Sequence, residues 1–210
     1  MANDIYAALR EGVSFSEPVT DRFHSSKWAA VETGTNLGMC MYVPGCDSFR
    51  IAEFNAFYNR GTDYFEPYEN HYTRGMDFEG KTVGVVGHLN EMKRRYGSVA
   101  KRMYVFELDP KDEEDIPAEM EDELLPGCDI AVITGSSLVN GTLPHLLELC
   151  RNAYTVLTGP SVPMCPALLD FGIDRLAGLC VTDIPGMKEY IRSEAECNPY
   201  SWGAPFLITK

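Results

Sequence analysis

Two short apolar segments of the chain each lead into a polar stretch rich in Gly, Ser, Thr and Pro. Ile130–Ile133 is followed by TGSS, and Tyr154–Leu157 is followed by TGPSVP. Both segments have the length and the apolar character of buried strands. Because ligands bind at the carboxyl ends of the strands in open α/β sheets, we expect the two stretches to form one polar pocket. The residues predicted to bind its ligand are Gly87, Gly135, Ser136, Ser137, Asn140, Thr142, Gly159, Pro160 and Ser161.

The amide and hydroxyl groups of this pocket each allow two interpretations. Asn140 and Thr142 precede an apolar helical stripe, so the amide is expected either to cap that helix or to orient a ligand. Ser136 and Ser137 are expected to bind a carboxylate or phosphate near a helix N-terminus, or else to close the turn. Ser161 is interpreted as a turn hydroxyl or as a ligand contact. A nucleophilic serine needs a nearby base, and none adjoins these serines in sequence.

His88 and Glu107 are the two candidate catalytic residues. His88 follows the predicted strand Thr82–Val86, and Glu107 follows Met103–Phe106. An imidazole at this edge of a sheet suits proton transfer or metal binding, and a structural histidine is the alternative. A carboxylate there suits a general base, a hydroxyl binder or a metal ligand, and a surface turn before Pro110 is the alternative.

The turn after the first of these strands does not match a dinucleotide fingerprint. Gly84, Gly87 and Asn90 form GxxGxxN, which lacks the glycine that lets a pyrophosphate approach the helix. Glu107 does lie where a ribose-binding acid would follow the second strand. The sequence therefore argues against NAD as a cofactor without excluding it.

A metal site needs three or four ligands that converge on one point. Glu107, Asp109, His88, Cys165 and Asp183 could meet at one rim of the predicted sheet, but their spacing in the sequence does not enforce it. The sequence therefore leaves a metal cofactor open and assigns it no ligands.

The composition describes an acidic chain with a formal net charge of −13 and 45% hydrophobic residues. Such a charge argues against a nucleic-acid or anionic-membrane surface and is compatible with cationic ligands. No stretch is apolar enough to span a bilayer, and the first residues lack the pattern of a signal peptide. Seven cysteines without a CxxC pair indicate reduced thiols rather than disulfides or structural zinc. We therefore expect a cytoplasmic protein.

The pattern of predicted elements changes at Asp77–Gly80. The preceding part contains a helix over Asp4–Glu11, a β-hairpin over Lys27–Tyr42 and a helix over Arg50–Asn59. Beyond the boundary, strand-like and helical segments alternate, which predicts an α/β fold with a doubly wound, mainly parallel sheet of five strands. The five predicted strands are Thr82–Val86, Met103–Phe106, Ile130–Ile133, Tyr154–Leu157 and Leu176–Val181.

Several motifs in this second part resemble those of the family known as "putative heavy-metal chelation". They read VGVVGHL, FELDP, ITGSSLVNGTLPHLLELC, LTGPSVPMCP and FGIDRLAGLCVTD, and the resemblance covers about residues 80–187. It implies a Rossmann-like domain preceded by an N-terminal unit similar to the enolase N-terminal fold. KWAAVETGTNLGMCM and IAEFNAFYNR are similar to the hairpin and the helix of that unit, although the segment between them is short here.

The resemblance implies a reduced α+β, enolase N-terminal-like unit over residues 1–78 and a Rossmann-like domain over residues 79–210. It also implies a cleft between the two that binds or processes a small polar ligand, with a role in handling heavy metals or metal chelates. The alternatives are a non-catalytic ligand sensor, a subunit of an oligomeric assembly and, with less support, an NAD-dependent enzyme. The aromatic segment Tyr64–Tyr72 is a candidate arm for a homodimer, and whether the protein is a catalyst stays open.

Overall fold

A computed structural model describes residues 2–13, 17–61, 66–67, 72–194 and 198–210 of the chain. It is a mixed α/β structure with a small antiparallel sheet of three strands and a mainly parallel sheet of eight. The strands are β1 (Val19–His24), β2 (Trp28–Thr33), β3 (Leu37–Met41), β4 (Glu66–Pro67), β5 (Thr82–Val86), β6 (Arg102–Glu107), β7 (Ile116–Pro117), β8 (Ile130–Thr134), β9 (Tyr154–Thr158), β10 (Arg175–Val181) and β11 (Gly203–Thr209). The α-helices are α1 (Ala2–Glu11), α2 (Ser48–Tyr58), α3 (Asn90–Tyr96), α4 (Glu121–Leu124), α5 (Ser136–Asn140), α6 (Leu143–Leu149) and α7 (Ile184–Ser193). Four 3-10 helices cover Ala118–Met120, Leu125–Gly127, Pro166–Phe171 and Pro199–Trp202.

The small sheet is built around the predicted hairpin. β2 pairs with β3 and with β1, both antiparallel. Helix α2 covers one face of the sheet, and the Asp47 carboxylate accepts a hydrogen bond from the Arg50 amide to cap its first turn. The predicted hairpin and helices are thus present, whereas the prediction omitted β1, which alternates polar and apolar residues weakly.

The large sheet contains all five predicted strands and three more. In the order β10-β9-β8-β5-β6-β7 all neighbours are parallel, and β11 and β4 extend the β10 edge in antiparallel fashion. The predicted count of five is therefore wrong. β4 and β7 have only two residues each, too few for an apolar pattern to show, and β11 follows the last helix without a strand–helix alternation.

Strands β5 and β8 are neighbours at the centre of this sheet, although β6 and β7 lie between them in sequence. The chain winds outward from β5 in one direction and then from β8 in the other. A sheet that reverses in this way opens a crevice at the carboxyl ends of the two central strands. Glycine and polar residues follow both strands at that point, which places them at the crevice.

Helices cover the large sheet on both faces. Val83 and Val85 of β5 pack with Met92 of α3 in one buried cluster. Ile133 of β8 packs with Leu146 of α6 in another. This alternation explains why the central strands read as continuous apolar segments.

The small sheet and the large sheet share one hydrophobic cluster. Leu9 of α1 and Ile51 of α2 belong to the same buried set as Phe106 of β6 and Leu157 of β9. The indole nitrogen of Trp28 also donates to the Tyr190 hydroxyl of α7 at 2.9 Å. The end of the small sheet that carries Trp28 and Met41, opposite the hairpin turn, therefore lies against the carboxyl edge of the large one. Among the described residues, no helix is long and apolar enough to cross a membrane.

Candidate functional site

A cavity of about 250 Å³ opens at the carboxyl ends of β5, β6 and β8, with β3 of the small sheet on one side. Its wall combines two carboxylates and an imidazole with hydroxyl, amide and apolar groups. The lining residues are Met41, Val86, Gly87, His88, Phe106, Glu107, Leu108, Glu121, Thr134, Ser136, Ser137, Asn140 and Thr142. Seven of the eleven residues predicted for the site thus lie at one cavity, namely Gly87, His88, Glu107, Ser136, Ser137, Asn140 and Thr142.

Gly87 allows β5 to leave the sheet directly beside β8. Its φ of +94° lies in the left-handed region, and a Cβ there would lie 2.6 Å from Cγ2 of Thr134. Its amide donates to the Phe106 carbonyl at 2.9 Å, which holds the turn against β6. The turn brings His88 to the rim of the cavity, next to Glu107.

Glu107 and His88 form the most chemically capable pair in the cavity. The side chain of Glu107 is 14% exposed, and its Oε1 is 3.4 Å from Nδ1 of His88. This contact is not a well-formed hydrogen bond, and Oε1 is a buried oxygen without a hydrogen-bond partner among the described residues. Burial raises the pKa of Glu107, and the charge of His88 offsets this only in part. Asn90 holds the far side of the ring, with its amide nitrogen 2.7 Å from Nε2.

Glu121 is a second carboxylate at the cavity, and the sequence analysis missed it. It is the first residue of α4, in an acidic stretch that is typical of a solvated surface. Burial raises its pKa from 4.5 to about 6, with the charge of His145 acting in the opposite direction. No spacing in the sequence links Glu121 to β5 or β6, so only the path of the chain after β7 brings it to the site.

The raised pKa of Glu121 predicts a specific pH dependence of stability. The folded state holds this proton more tightly than the unfolded state, so its contribution is fully present below pH 4.5 and is lost as pH rises through about 6. At pH 8 we expect the free energy of unfolding of Glu121→Gln to be about 1 kcal/mol higher than that of wild type. This is half of the free energy that corresponds to the full pKa shift, because the carboxylate is partly exposed. Well below pH 4.5, where Glu121 is protonated in both the folded and the unfolded state, the two proteins should be equally stable in urea titrations. The exposed neighbour Glu123 is the control, and an equal gain in Glu123→Gln would contradict the assignment.

Helix α5 organises the hydroxyl and amide side of the cavity, where a loop is predicted. The Ser137 hydroxyl donates to the Thr134 carbonyl at 2.7 Å, which continues the strand into the helix. Ser136 Oγ lies 3.2 Å from Thr134 Oγ1. Asn140 is the last residue of α5 rather than the N-cap of α6, and its Oδ1 accepts from both the amide and the hydroxyl of Thr142. The hydrogen bonds of its side chain among the described residues thus use Oδ1, which leaves Nδ2 for a ligand.

The second polar loop does not line the cavity as expected. Ser161 is 4% exposed, and its hydroxyl accepts from the Met41 amide at 2.9 Å. The Pro160 carbonyl accepts from Nδ2 of Asn55 at 3.2 Å. Gly159, Pro160 and Ser161 therefore join the small sheet to the large one. Gly135 lies behind the lining, where a Cβ would lie 2.6 Å from Cγ2 of Val162. Ligand contact by these four residues stays a prediction.

The residues considered as metal ligands do not converge. Asp109 is exposed and pairs with Lys111, whereas Asp183 caps α7 through the Gly186 amide at 3.0 Å. Cys165 is 3% exposed in the core. Within the described part of the chain, no group of three His, Cys, Asp or Glu side chains could hold a metal ion. These residues therefore do not fit a resident metal.

Four buried thiols are also poor candidates for ligands of soft metals, which prefer thiolates. Burial raises the pKa of Cys128 to about 11 and those of Cys40, Cys150 and Cys180 to about 12. Thiols that hold their protons so firmly are poor metal ligands at neutral pH.

One further stretch has the spacing of a phosphate loop but not its structure. Residues 75–82 read GMDFEGKT, which satisfies GxxxxGK(S/T). A phosphate loop links a strand to a helix, whereas this stretch leads into β5 from the opposite end of the strand. It therefore presents no helix N-terminus to a phosphate.

Comparison with known proteins places this geometry in a family. A protein of unknown function from the DUF364 family of Desulfitobacterium hafniense DCB-2 has the same fold, with a TM-score of 0.87, 24% identity and coverage of 100% of this chain and 98% of that one. A second, from Pyrococcus horikoshii, has a TM-score of 0.83 and 18% identity over 98% and 97% of the two chains.

Comparison of sequences indicates the same family as comparison of structures. An uncharacterized protein of Methanocaldococcus jannaschii is 30% identical over 119 residues, which are 55% of this chain and 44% of that protein, so the match spans less than half of the relative. The family model described as "Putative heavy-metal chelation" matches residues 75–200. The chain therefore belongs to the DUF364 family, as its motifs indicate.

Proposed function

We propose that the protein binds or processes a small polar molecule in the cavity between the small and the large sheet. The observation that carries the proposal is the buried Oε1 of Glu107, which lies at the cavity and has only the long 3.4 Å contact with Nδ1 of His88 among the described residues. A buried carboxylate oxygen left in this state is costly, and a ligand that donates to it would relieve the cost. The position at the switch between β5 and β8 supports the same site.

The architecture behind this proposal is a Rossmann-like domain with an enolase N-terminal-like unit before it. Numbered along the chain from β5 to β10, the parallel strands follow the order 3-2-1-4-5-6, which supports the Rossmann-like assignment. A boundary near residue 78 is supported by the small sheet, whose three strands all precede it. β4 also precedes it but pairs with β11 of the large sheet.

The pair of Glu107 and His88 could move a proton if the ligand is a substrate. A carboxylate whose pKa is raised by burial is a better base near neutral pH than an exposed one. With the Asn90 amide nitrogen facing Nε2, the neutral His88 ring carries its proton on Nδ1, the atom that faces Glu107. The two side chains can therefore share one proton at the cavity.

The cavity argues against two other ligands. About 250 Å³ is below the usual range of 300–1,000 Å³ for sites that hold drug-sized molecules, so a dinucleotide such as NAD would not fit without opening. A bare heavy metal lacks a ligand set in the described residues. A role in metal handling would therefore involve a small organic chelate as cargo.

The test is a thermal-shift screen of a metabolite library on wild type, Asn140→Ala and Glu107→Gln. A ligand of the cavity at 100 times its Kd should raise Tm by about 5 °C or more in wild type. The shift should disappear in Asn140→Ala and persist in Asp109→Asn, which alters an exposed acid outside the cavity. In Glu107→Gln the shift should become smaller, and a catalyst should also lose turnover in that variant. Ligands whose shifts persist in both cavity variants would contradict the proposal.

Assembly through the aromatic segment has less support. The described residues of that segment contact the same chain, since Glu66–Pro67 pairs with β11 and the Tyr72 carbonyl accepts from the Arg175 guanidinium at 2.9 Å. Tyr64 and Phe65 lie outside the described residues, so the homodimer stays a prediction.

A further inference from the structure

We infer that the ligand of this cavity is a small organic cation, an amine or amidine joined to a short apolar group. The inference rests on the proposed function and names the chemical class of its ligand. It follows from the charges that line the cavity and from the apolar side chains at its mouth.

The lining contains two carboxylates and no Lys or Arg among the residues the structure describes. Glu107 and Glu121 differ in this from two other partly buried glutamates of the described chain. Glu32, for example, lies 2.5 Å from the ammonium of Lys188, and Glu17 lies 2.9 Å from the guanidinium of Arg60. Within the described structure, the only ionisable base at the cavity itself is His88, half exposed at the rim.

The surroundings strengthen this negative field. Asp115 and Asp109 act on Glu107, and Asp122 and Glu119 act on Glu121, each with the same sign. The cations near these outer acids are already engaged, since Lys111 pairs with Asp109, and His145 lies 2.6 Å from Asp122. Apart from the imidazole of His88 at the rim, an anionic ligand would meet like charge, whereas an ammonium or amidinium would neutralise two carboxylates that the fold leaves without Lys or Arg.

The apolar part of the ligand is inferred from the hydrophobic side chains that line the cavity. Val86 and Phe106 form the buried floor. Leu108 is 76% exposed and Met41 36%, two of the few large hydrophobic side chains that the described surface exposes, and both line the cavity mouth. A methionine adapts its shape to different apolar groups. The volume of about 250 Å³ limits that group to a few carbons.

The experiment compares three probes that have similar shapes and differ in charge. n-Butylamine, n-butanol and butyrate are titrated into the full chain by isothermal calorimetry at pH 8, where Glu107 and Glu121 are expected to be ionised. Butylamine should bind at least about 10-fold more tightly than either isostere. Glu107→Gln and Glu121→Gln should each weaken butylamine by about 10-fold, whereas Glu123→Gln, which removes an exposed acid on the same helix, should leave the affinity unchanged.

Each other outcome overturns the inference. If butyrate or butanol binds as tightly as butylamine, the cavity does not select cations. The same conclusion follows if Glu107→Gln and Glu121→Gln both bind butylamine as tightly as wild type. If methylamine binds as tightly as butylamine, the ligand gains nothing from an apolar group, and that part of the inference is wrong. If no probe binds but the metabolite screen finds a neutral or anionic ligand whose shift disappears in Asn140→Ala, the cation class is wrong and the cavity function stands. If no probe binds and the metabolite screen yields no ligand whose shift disappears in Asn140→Ala, both the inference and the proposed function fail.

Discussion

Replacing Gly38 by Ala is expected to lower the free energy of unfolding by about 3 kcal/mol or more. Gly38 lies in β3 at the point where the strand crosses α2. A Cβ at this position would overlap the backbone of Ala52 and Ala56 and would lie 2.6 Å from the carbonyl carbon of Asn55. Backbone atoms of a helix cannot rotate away as a flexible side chain can, so α2 and β3 would have to separate. Urea denaturation followed by circular dichroism measures the loss.

Gly34→Ala is the matched control, because Gly34 belongs to the same hairpin and a Cβ there would have no neighbour within 4 Å. It should change stability by no more than about 0.5 kcal/mol. Equal effects of the two substitutions would show that the contact between β3 and α2 is not as close as described. Because β3 forms one side of the cavity, a partly folded Gly38→Ala protein should also lose any cavity ligand.

Replacing Asn59 by Ala is expected to cost about 4 kcal/mol of stability. The side chain is 2% exposed, and its Nδ2 donates to the carbonyls of Val162 at 2.9 Å and Leu179 at 3.0 Å. Its Oδ1 accepts from the Met164 amide at 2.8 Å. One amide thus satisfies three backbone groups where the helix α2 meets the large sheet. Alanine would leave all three buried without partners, since the carbonyls and the amide cannot reach one another.

The control for this prediction is Asn152→Ala, which removes an exposed amide and should be neutral within about 0.5 kcal/mol. Asn59→Asp sharpens the test, because a carboxylate keeps the acceptor for Met164 but replaces the two donors with a charge facing two carbonyl oxygens. It should be at least as destabilising as alanine at pH 8. An Asn59→Asp protein as stable as wild type would contradict the described hydrogen bonds.

The elements of the fold could be predicted where burial imposes a regular pattern. β5, β8 and β9 are apolar on both faces because helices cover the sheet on both sides, and their alternation with helices indicates parallel pairing. The hairpin of β2 and β3 was readable from its turn residues. Strands of two residues, such as β7, have no pattern of their own, and only their partner in the sheet defines them.

The residues of the candidate site could also be predicted only in part. The polar ends of β5, β6 and β8 were identifiable because parallel strands present their carboxyl ends on one edge, and residues such as His88 and Asn140 follow those ends directly. The sequence also defines the membership of the chain in its family through motifs within residues 75–200.

Tertiary structure alone decided the rest. Met41 and Glu121 reach the cavity from segments far from it in sequence, and no local pattern distinguishes an acid that folds inward from one on a solvated helix. The tertiary structure also places the loop of Ser161 against the small sheet. The Ser161 hydroxyl therefore accepts a hydrogen bond from the Met41 amide instead of facing the cavity. The raised pKa values of Glu107 and Glu121 have the same origin. Burial is a property of the assembled fold, and it turns two ordinary acidic residues into the charged wall of a cavity.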